Sequence, residues 1–198
     1  MARRAQEIEI IIIQVEHLKN ITTAIFVAVF CAVIFVTTQS ANSQSENFRV
    51  KSHLVFDKKF SGKTFVIDGD SLKVAGNEVR LFGIDAPEYS QNCFDAKNNE
   101  YACGRASVAF TRKLASEKIV ECVYAEKDKY DRYLGKCSVD GVSINEELVK
   151  NGMAVIYNFT ESDEKMDALE ISAKEQKLGI WQGAFQLPKE YRKAHPRH

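Results

Sequence analysis

Five charged side chains in the middle of this chain have types and positions that suit chemistry at a phosphate. Asp70 follows an Asp68-Gly69 turn, Arg80 lies within Val79-Arg80-Leu81-Phe82, and Asp85 and Glu88 flank Ala86-Pro87 directly after it. Arg132 stands further along, in a charged connection. Two carboxylates brought together from different turns offer the hard oxygen donors that calcium or magnesium takes. A third carboxylate can accept a proton from water, and guanidinium groups can hold charge on phosphorus oxygens. Each position alone has a plainer explanation. Asp at a turn is ordinarily a turn residue, and Arg on an edge strand is ordinarily solvated. The chemistry therefore rests on order and spacing taken together.

The flanking pattern supplies elements able to position these groups. Thr64-Phe65-Val66-Ile67 reads as a strand ending at the Asp68-Gly69 turn. Ser71 to Val74 alternates polar and apolar, and Gly76-Asn77 offers a second turn before Val79 to Phe82, so three short strands form a meander. Ala106, Phe110 and Leu114 recur every fourth residue and predict one apolar helical face. Ile119 to Tyr124 and Tyr133 to Val139 read as two further strands. Ser143-Ile144-Asn145-Glu146 has the form of a capping box opening a short helix that Gly152 stops, and a third helix is expected over Glu161 to Lys177. This order is α+β: five strands able to close into a small barrel, with one helix plugging an end. Periodicity alone does not separate that barrel from an open sheet.

Lys+Arg and Asp+Glu both number 27. Neutrality argues against a broad cationic coat for duplex nucleic acid, yet suits an enzyme that needs only a small cationic pocket. Ile21 to Val36 is uncharged and nearly all apolar, and small residues at Ala41 and Ser43 suit cleavage before Gln44. Residues 1–43 are therefore expected to be a signal peptide or, as the alternative, an N-terminal membrane anchor. Residues 44–59 read as a linker, 60–183 as the folded domain and 184–198 as a C-terminal tail. Of five cysteines, Cys31 lies in the apolar run; Cys93, Cys103, Cys122 and Cys137 remain. An even set in an exported domain predicts two disulfides, with three possible pairings. The close C-x-x-C spacing of a thiolate zinc site is absent.

Three segments carry a resemblance: Val66-Ile67-Asp68-Gly69-Asp70-Ser71-Leu72-Lys73-Val74, Val79-Arg80-Leu81-Phe82-Gly83-Ile84-Asp85-Ala86-Pro87-Glu88, and Asp128-Lys129-Tyr130-Asp131-Arg132-Tyr133-Leu134. Together with Val142 to Ala154 and Ala173 to Trp181, they closely resemble the staphylococcal nuclease-like (thermonuclease) family over roughly Lys63 to Trp181. The resemblance implies an OB-fold β-barrel of five strands with three α-helices and calcium-dependent hydrolysis of DNA, RNA or both with little sequence preference. It implies that Asp70 and Asp85 bind calcium through side-chain oxygens and Ala86 through its carbonyl, with Asp68 near the ion. Glu88 is implied as the base that activates water, Arg80 and Arg132 as the groups gripping the scissile phosphate, and Tyr130 as an aid to phosphate binding. A monomer, either periplasmic, secreted or membrane-anchored, is expected.

Some residues depart from the family pattern. Asp131 stands where the family usually has glycine, and its carboxylate either reaches Arg132 or points to solvent. Ala86 replaces a common threonine, which leaves the backbone carbonyl unchanged. The cysteine-bearing insertion differs from the founding enzyme but resembles exported relatives, and the expected pairs are Cys93 with Cys103 and Cys122 with Cys137, the latter on strands expected to be neighbours. His53, His195 and His198 lie outside the motifs, so no histidine base is indicated. Trp181 and Phe185 read as packing anchors, while Tyr133 and Tyr157 are weaker candidates for a substrate groove. The competing function is a catalytically weak OB module that binds nucleic acid or an envelope protein partner.

Overall fold

The computed structural model describes residues 54–157 and 163–196. The expected leader, residues 1–43, lies outside the described residues. No helix among the described residues is long and apolar enough to cross a membrane.

A closed barrel organises the domain. Strand β1 (Lys58–Asp68) is longer than the four-residue run expected, and its two halves serve different neighbours. Residues 58–63 pair antiparallel with β7 (Ile119–Lys127), and residues 64–68 pair with β2 (Ser71–Val74). Just before the change of partner, a Cβ on Gly62 would come within 2.6 Å of the Ala75 Cβ, so glycine lets β1 pass close to the β2–β3 turn. β2 continues through the turn at Ala75-Gly76, both at positive φ, into β3 (Asn77–Leu81). Two left-handed residues are what a tight I′-type hairpin requires, and they place the turn one residue before the expected position. β7 pairs with β8 (Tyr133–Val139), and β8 runs parallel to β3, closing the five-stranded ring.

Inward-facing residues alternate along the strands. Val66, Leu72, Val74, Val79, Leu81, Val120 and Val139 form the barrel core, while Phe65 and Ile67 face outward. Cys122 and Cys137 sit opposite each other across β7 and β8, joined by a disulfide. The parallel closure is held by a buried amide. Asn145 accepts from the Cys137 N–H (3.0 Å) and donates to the carbonyls of Phe82 (3.0 Å) and Gly135 (3.4 Å).

Asn145 belongs to α2 (Ile144–Lys150), which begins as the capping pattern predicts: the Glu146 N–H donates to Ser143 Oγ (3.3 Å), and Gly152 follows at positive φ. α1 (Cys103–Ala115) buries a different face from the one expected. Phe110 and Leu114 pack on its shoulder, while Ser107, Val108, Thr111 and Ala115 form its buried centre. The hydroxyls are spent on backbone carbonyls, Ser107 on Met153 (2.8 Å) and Thr111 on Gly69 (2.8 Å), so two polar residues cost little inside. α3 (Glu164–Glu175) is shorter than expected because the Asp163 side chain caps it, accepting from Lys165 and Met166 N–H, and Lys177 leaves it at positive φ.

Three helices were expected in the domain, and the described residues hold four. After a 3₁₀ turn (Gly179–Gln182), α4 (Pro188–Ala194) lies within the segment read as a tail. A second apolar cluster anchors this region: Cys93, Cys103, Val155 and Ile180, with Trp181 and Phe185 packed edge-to-face at 5.0 Å. Cys93, in the two-residue strand β5 (Cys93–Phe94), is disulfide-bonded to Cys103 at the start of α1. β5 pairs with β6 (Glu100–Tyr101).

Candidate active site

The turn between β1 and β2 presents Asp70, and α1 grips that turn. Thr111 bonds the Gly69 carbonyl, and a Cβ on Gly69 would lie 2.5 Å from Ser107 Oγ and 2.7 Å from the Ala86 Cβ. Only glycine lets the helix and the Ala86 segment approach the turn this closely. The register of β2 and β3 pairs Ser71 with Arg80, which sets the Arg80 side chain beside Asp70. The chain then reverses at Gly83 (φ +79°) into β4 (Ile84–Asp85), which pairs with β9 (Val155–Ile156) and delivers Asp85 to the same place.

One guanidinium bridges the two aspartates. Arg80 donates through Nη1 to Asp70 Oδ1 and through Nη2 to Asp85 Oδ1 at 2.6 Å. Asp70 also accepts from Ser71 Oγ (3.2 Å) and from the Ala86 N–H (2.8 Å). Both aspartates are buried, at 2% and 1% exposure. Burial, only partly offset by Arg80 and the Ala86 N–H, pushes the Asp70 carboxyl up to about 6, and the negative charges of Asp85 and Asp68 add to the rise. Asp68, at the end of β1, accepts from the Gly69 N–H (2.8 Å).

Glu88 lies on the loop after Pro87, also buried, with its N–H donating to Gln91 Oε1 (3.3 Å). Its carboxylate meets a residue that the sequence did not single out. Arg192 of α4 donates through Nη1 to Glu88 Oε1 (3.0 Å) and to Asp85 Oδ1 (2.8 Å), and through Nη2 to Asp85 Oδ2 (2.9 Å). Burial works against its charge, but the bonds to Asp85 and Glu88 outweigh that and hold the guanidinium more firmly protonated than usual. Signals for this helix were weak: Pro188 at a helix N1 position and two basic residues in the last turn. Fully buried Gln91 ties the same segment down, donating to the Gln186 carbonyl at 2.6 Å.

Asp70, Arg80, Asp85 and Glu88 thus converge, with Arg192 added. Arg132 stands on the neighbouring β7–β8 loop, one residue before Tyr133, which pairs with Val79 of β3. Its guanidinium is engaged by Asp128, through Nε (2.9 Å) and Nη2 (2.7 Å). Asp128 also accepts from the N–H groups of Tyr130 and Arg132, and these bonds overcome burial to hold its carboxyl below the usual range. Exposed Tyr130 lies under Arg132, 5.4 Å from guanidinium carbon to ring centre. Asp131 has φ +66°, which accounts for glycine being favoured there, and its carboxylate pairs with Lys127 (2.9 Å) in the open. Tyr133 packs with Phe60 and Tyr124 on the barrel, and Lys189 of the C-terminal helix lies 5.7 Å from the Tyr157 ring centre.

Among the described residues, no group of three or more His, Cys, Asp or Glu side chains is arranged as a ready metal shell. The donors that are present fit a hard dication in type: two buried carboxylates, one from the β1–β2 turn and one from β4, bridged by the Arg80 guanidinium.

The family model for staphylococcal nuclease homologues matches residues 78–183. Among similar proteins, a succinoglycan biosynthesis protein, ExoI, of Rhizobium meliloti is 35% identical over 122 residues, which are 61% of this chain and 63% of that protein. An uncharacterized endonuclease of Escherichia coli O157:H7 is 33% identical over 128 residues, 62% of this chain and 77% of that protein. Endonuclease YhcR of Bacillus subtilis is 32% identical over 145 residues, 64% of this chain but 12% of its own length. The chain therefore spans less than two thirds of the Rhizobium and Bacillus relatives it matches.

Proposed function

The chain belongs to the staphylococcal nuclease homologue family, and we propose that it is a calcium-dependent nuclease cleaving phosphodiester bonds of DNA, RNA or both with little sequence preference. The observation that carries this reading is the pair of buried aspartates, from the β1–β2 turn and from β4, bridged by Arg80, with Glu88 joined to Asp85 through Arg192.

In this reading Asp70 and Asp85 hold calcium with the Ala86 carbonyl, and Asp68 adds negative charge nearby. Bound calcium supplies Lewis-acid polarisation of a phosphate oxygen and a template for the substrate. Glu88 takes a proton from the attacking water. Arg80 and Arg132 bind the phosphate and stabilise charge that grows on its oxygens, as preorganised donors do in water-poor sites. Tyr130, beside Arg132, flanks the phosphate. For Arg132 to act, its guanidinium must exchange Asp128 for substrate or serve both. The two disulfides suit an oxidising compartment, so we place the protein outside the cytoplasm, as a periplasmic, secreted or membrane-anchored protein.

The direct test is incubation of the purified protein with single-stranded DNA, RNA and succinoglycan, in calcium or in chelator. Calcium-stimulated shortening of a nucleic acid is expected. Cleavage of neither nucleic acid rejects the reading, and cleavage of succinoglycan alone would move the function to the polysaccharide named for the Rhizobium relative.

The raised Asp70 carboxyl gives a pH prediction. Calcium must displace a proton from Asp70 below pH 6, so affinity should be flat above about pH 7 and fall roughly tenfold per unit below about 6. For stability without calcium the sign follows from a folded value above the unfolded one. Asp70 contributes fully below about pH 4, and that contribution is lost as pH rises through 6, a cost of up to about 3 kcal/mol. Titration calorimetry from pH 5 to 8 checks the first part; equal affinities at pH 5 and 7 would show that the ion displaces no proton from a carboxyl titrating near 6.

A further inference from the structure

We propose that Arg192 is a third arginine for the substrate phosphate, and that it and the dication exclude each other at Asp85. This rests on the reading of Asp85 as a calcium ligand. Both Asp85 oxygens are bonded by Arg192, and one of them also by Arg80. A dication drawing on those oxygens meets a guanidinium 2.8–2.9 Å from them, and two positive centres that close repel strongly in a buried setting. Calcium entry therefore turns Arg192 off Asp85.

The helix that carries Arg192 stays where it is, because its other anchors do not involve Asp85. Tyr191 donates to the Ser90 carbonyl (3.2 Å), Gln91 donates to Gln186, and the Phe94 N–H donates to the Ala184 carbonyl (2.8 Å). Gly183 permits this docking, since a Cβ there would lie 2.2 Å from the Phe94 carbonyl oxygen. The released guanidinium is thus tethered beside Glu88, its remaining contact. About a third of the Arg192 side chain is open to solvent, so an approaching phosphate can be met on that side. Bidentate capture of a phosphate oxygen pair is what a guanidinium does well. Until calcium binds, the same group covers Asp85 and Glu88.

The test uses the whole protein and two readouts that do not require turnover. Calcium affinity is measured by calorimetry for the parent and for Arg192→Ala and Arg192→Lys. Removal of the competing guanidinium should tighten calcium binding roughly tenfold, with lysine intermediate. Binding of a single-stranded oligonucleotide in saturating calcium is then measured in a Glu88→Gln background, in which cleavage is slow enough for binding to be read first. Arg192→Ala should weaken it about five- to tenfold and lower the salt slope by about 0.7, the mark of one lost phosphate contact. Tyr191→Phe, which loosens the helix and keeps the arginine, should leave the salt slope unchanged and shows whether helix docking alone accounts for the effects. If the parent binds calcium but Arg192→Ala binds it no tighter, mutual exclusion is wrong. If the salt slope is unchanged, the phosphate contact is wrong. A parent that binds no calcium overturns both this inference and the assigned metal site.

Discussion

Glu88→Gln lowers kcat by about 10²–10⁴, the range general-base catalysis supplies, while calcium affinity and melting temperature stay close to those of the parent. The split follows from what each atom of Glu88 does. Its backbone N–H is held by Gln91, and its carboxylate accepts from Arg192. Glutamine has the same length and keeps an acceptor oxygen for Arg192, so the loop after Pro87 has no reason to move. What is lost is the basicity needed to take a proton from water. Steady-state kinetics at saturating calcium, beside calorimetry and a thermal melt, separates these terms. A fall in kcat of less than threefold would remove Glu88 from the role of base. A fall accompanied by loss of calcium binding would instead make it a metal ligand.

The legible part of this site is the part made by local chemistry. Asp70 follows a turn and Asp85 follows a strand, and short hairpins bring such neighbours together with little room for error. The five strands and the cap at Ser143 were visible for the same reason. Barrel closure was not, because the parallel pairing of Val79 with Tyr133 joins segments more than fifty residues apart through no local signal. The buried face of α1 was hidden by its composition: Ser107 and Thr111 look like surface residues until their hydroxyls are seen on the Met153 and Gly69 carbonyls. Arg132 was legible as a family position, but its capture by Asp128 depends on the fold of one loop. Arg192 was hidden most completely. A seven-residue helix rich in charge carries no apolar stripe, and its partners lie over a hundred residues earlier.

Arg80→Met is expected to cost the metal-free protein about 3–5 kcal/mol of stability, as loss of one partner from a buried ion pair typically does. It should also lower the rate about 10²–10³-fold, the loss found when one charge-stabilising donor is removed. Arg80 compensates two carboxylates at once, and neither can reach bulk water, so methionine of similar bulk leaves Asp70 and Asp85 facing each other with less positive charge between them. That strain predicts its own remedy. If those carboxylates are the calcium ligands, the dication replaces the missing compensation, and calcium should raise the melting temperature of Arg80→Met more than that of the parent. A purely structural arginine would give the stability loss with no change in kcat once calcium had restored the fold. Melting curves with and without calcium, and kcat at saturating calcium, distinguish the cases. An equal calcium shift in both proteins would mean that the bridged aspartates do not hold the ion, and the assignment of the whole cluster would fall with them.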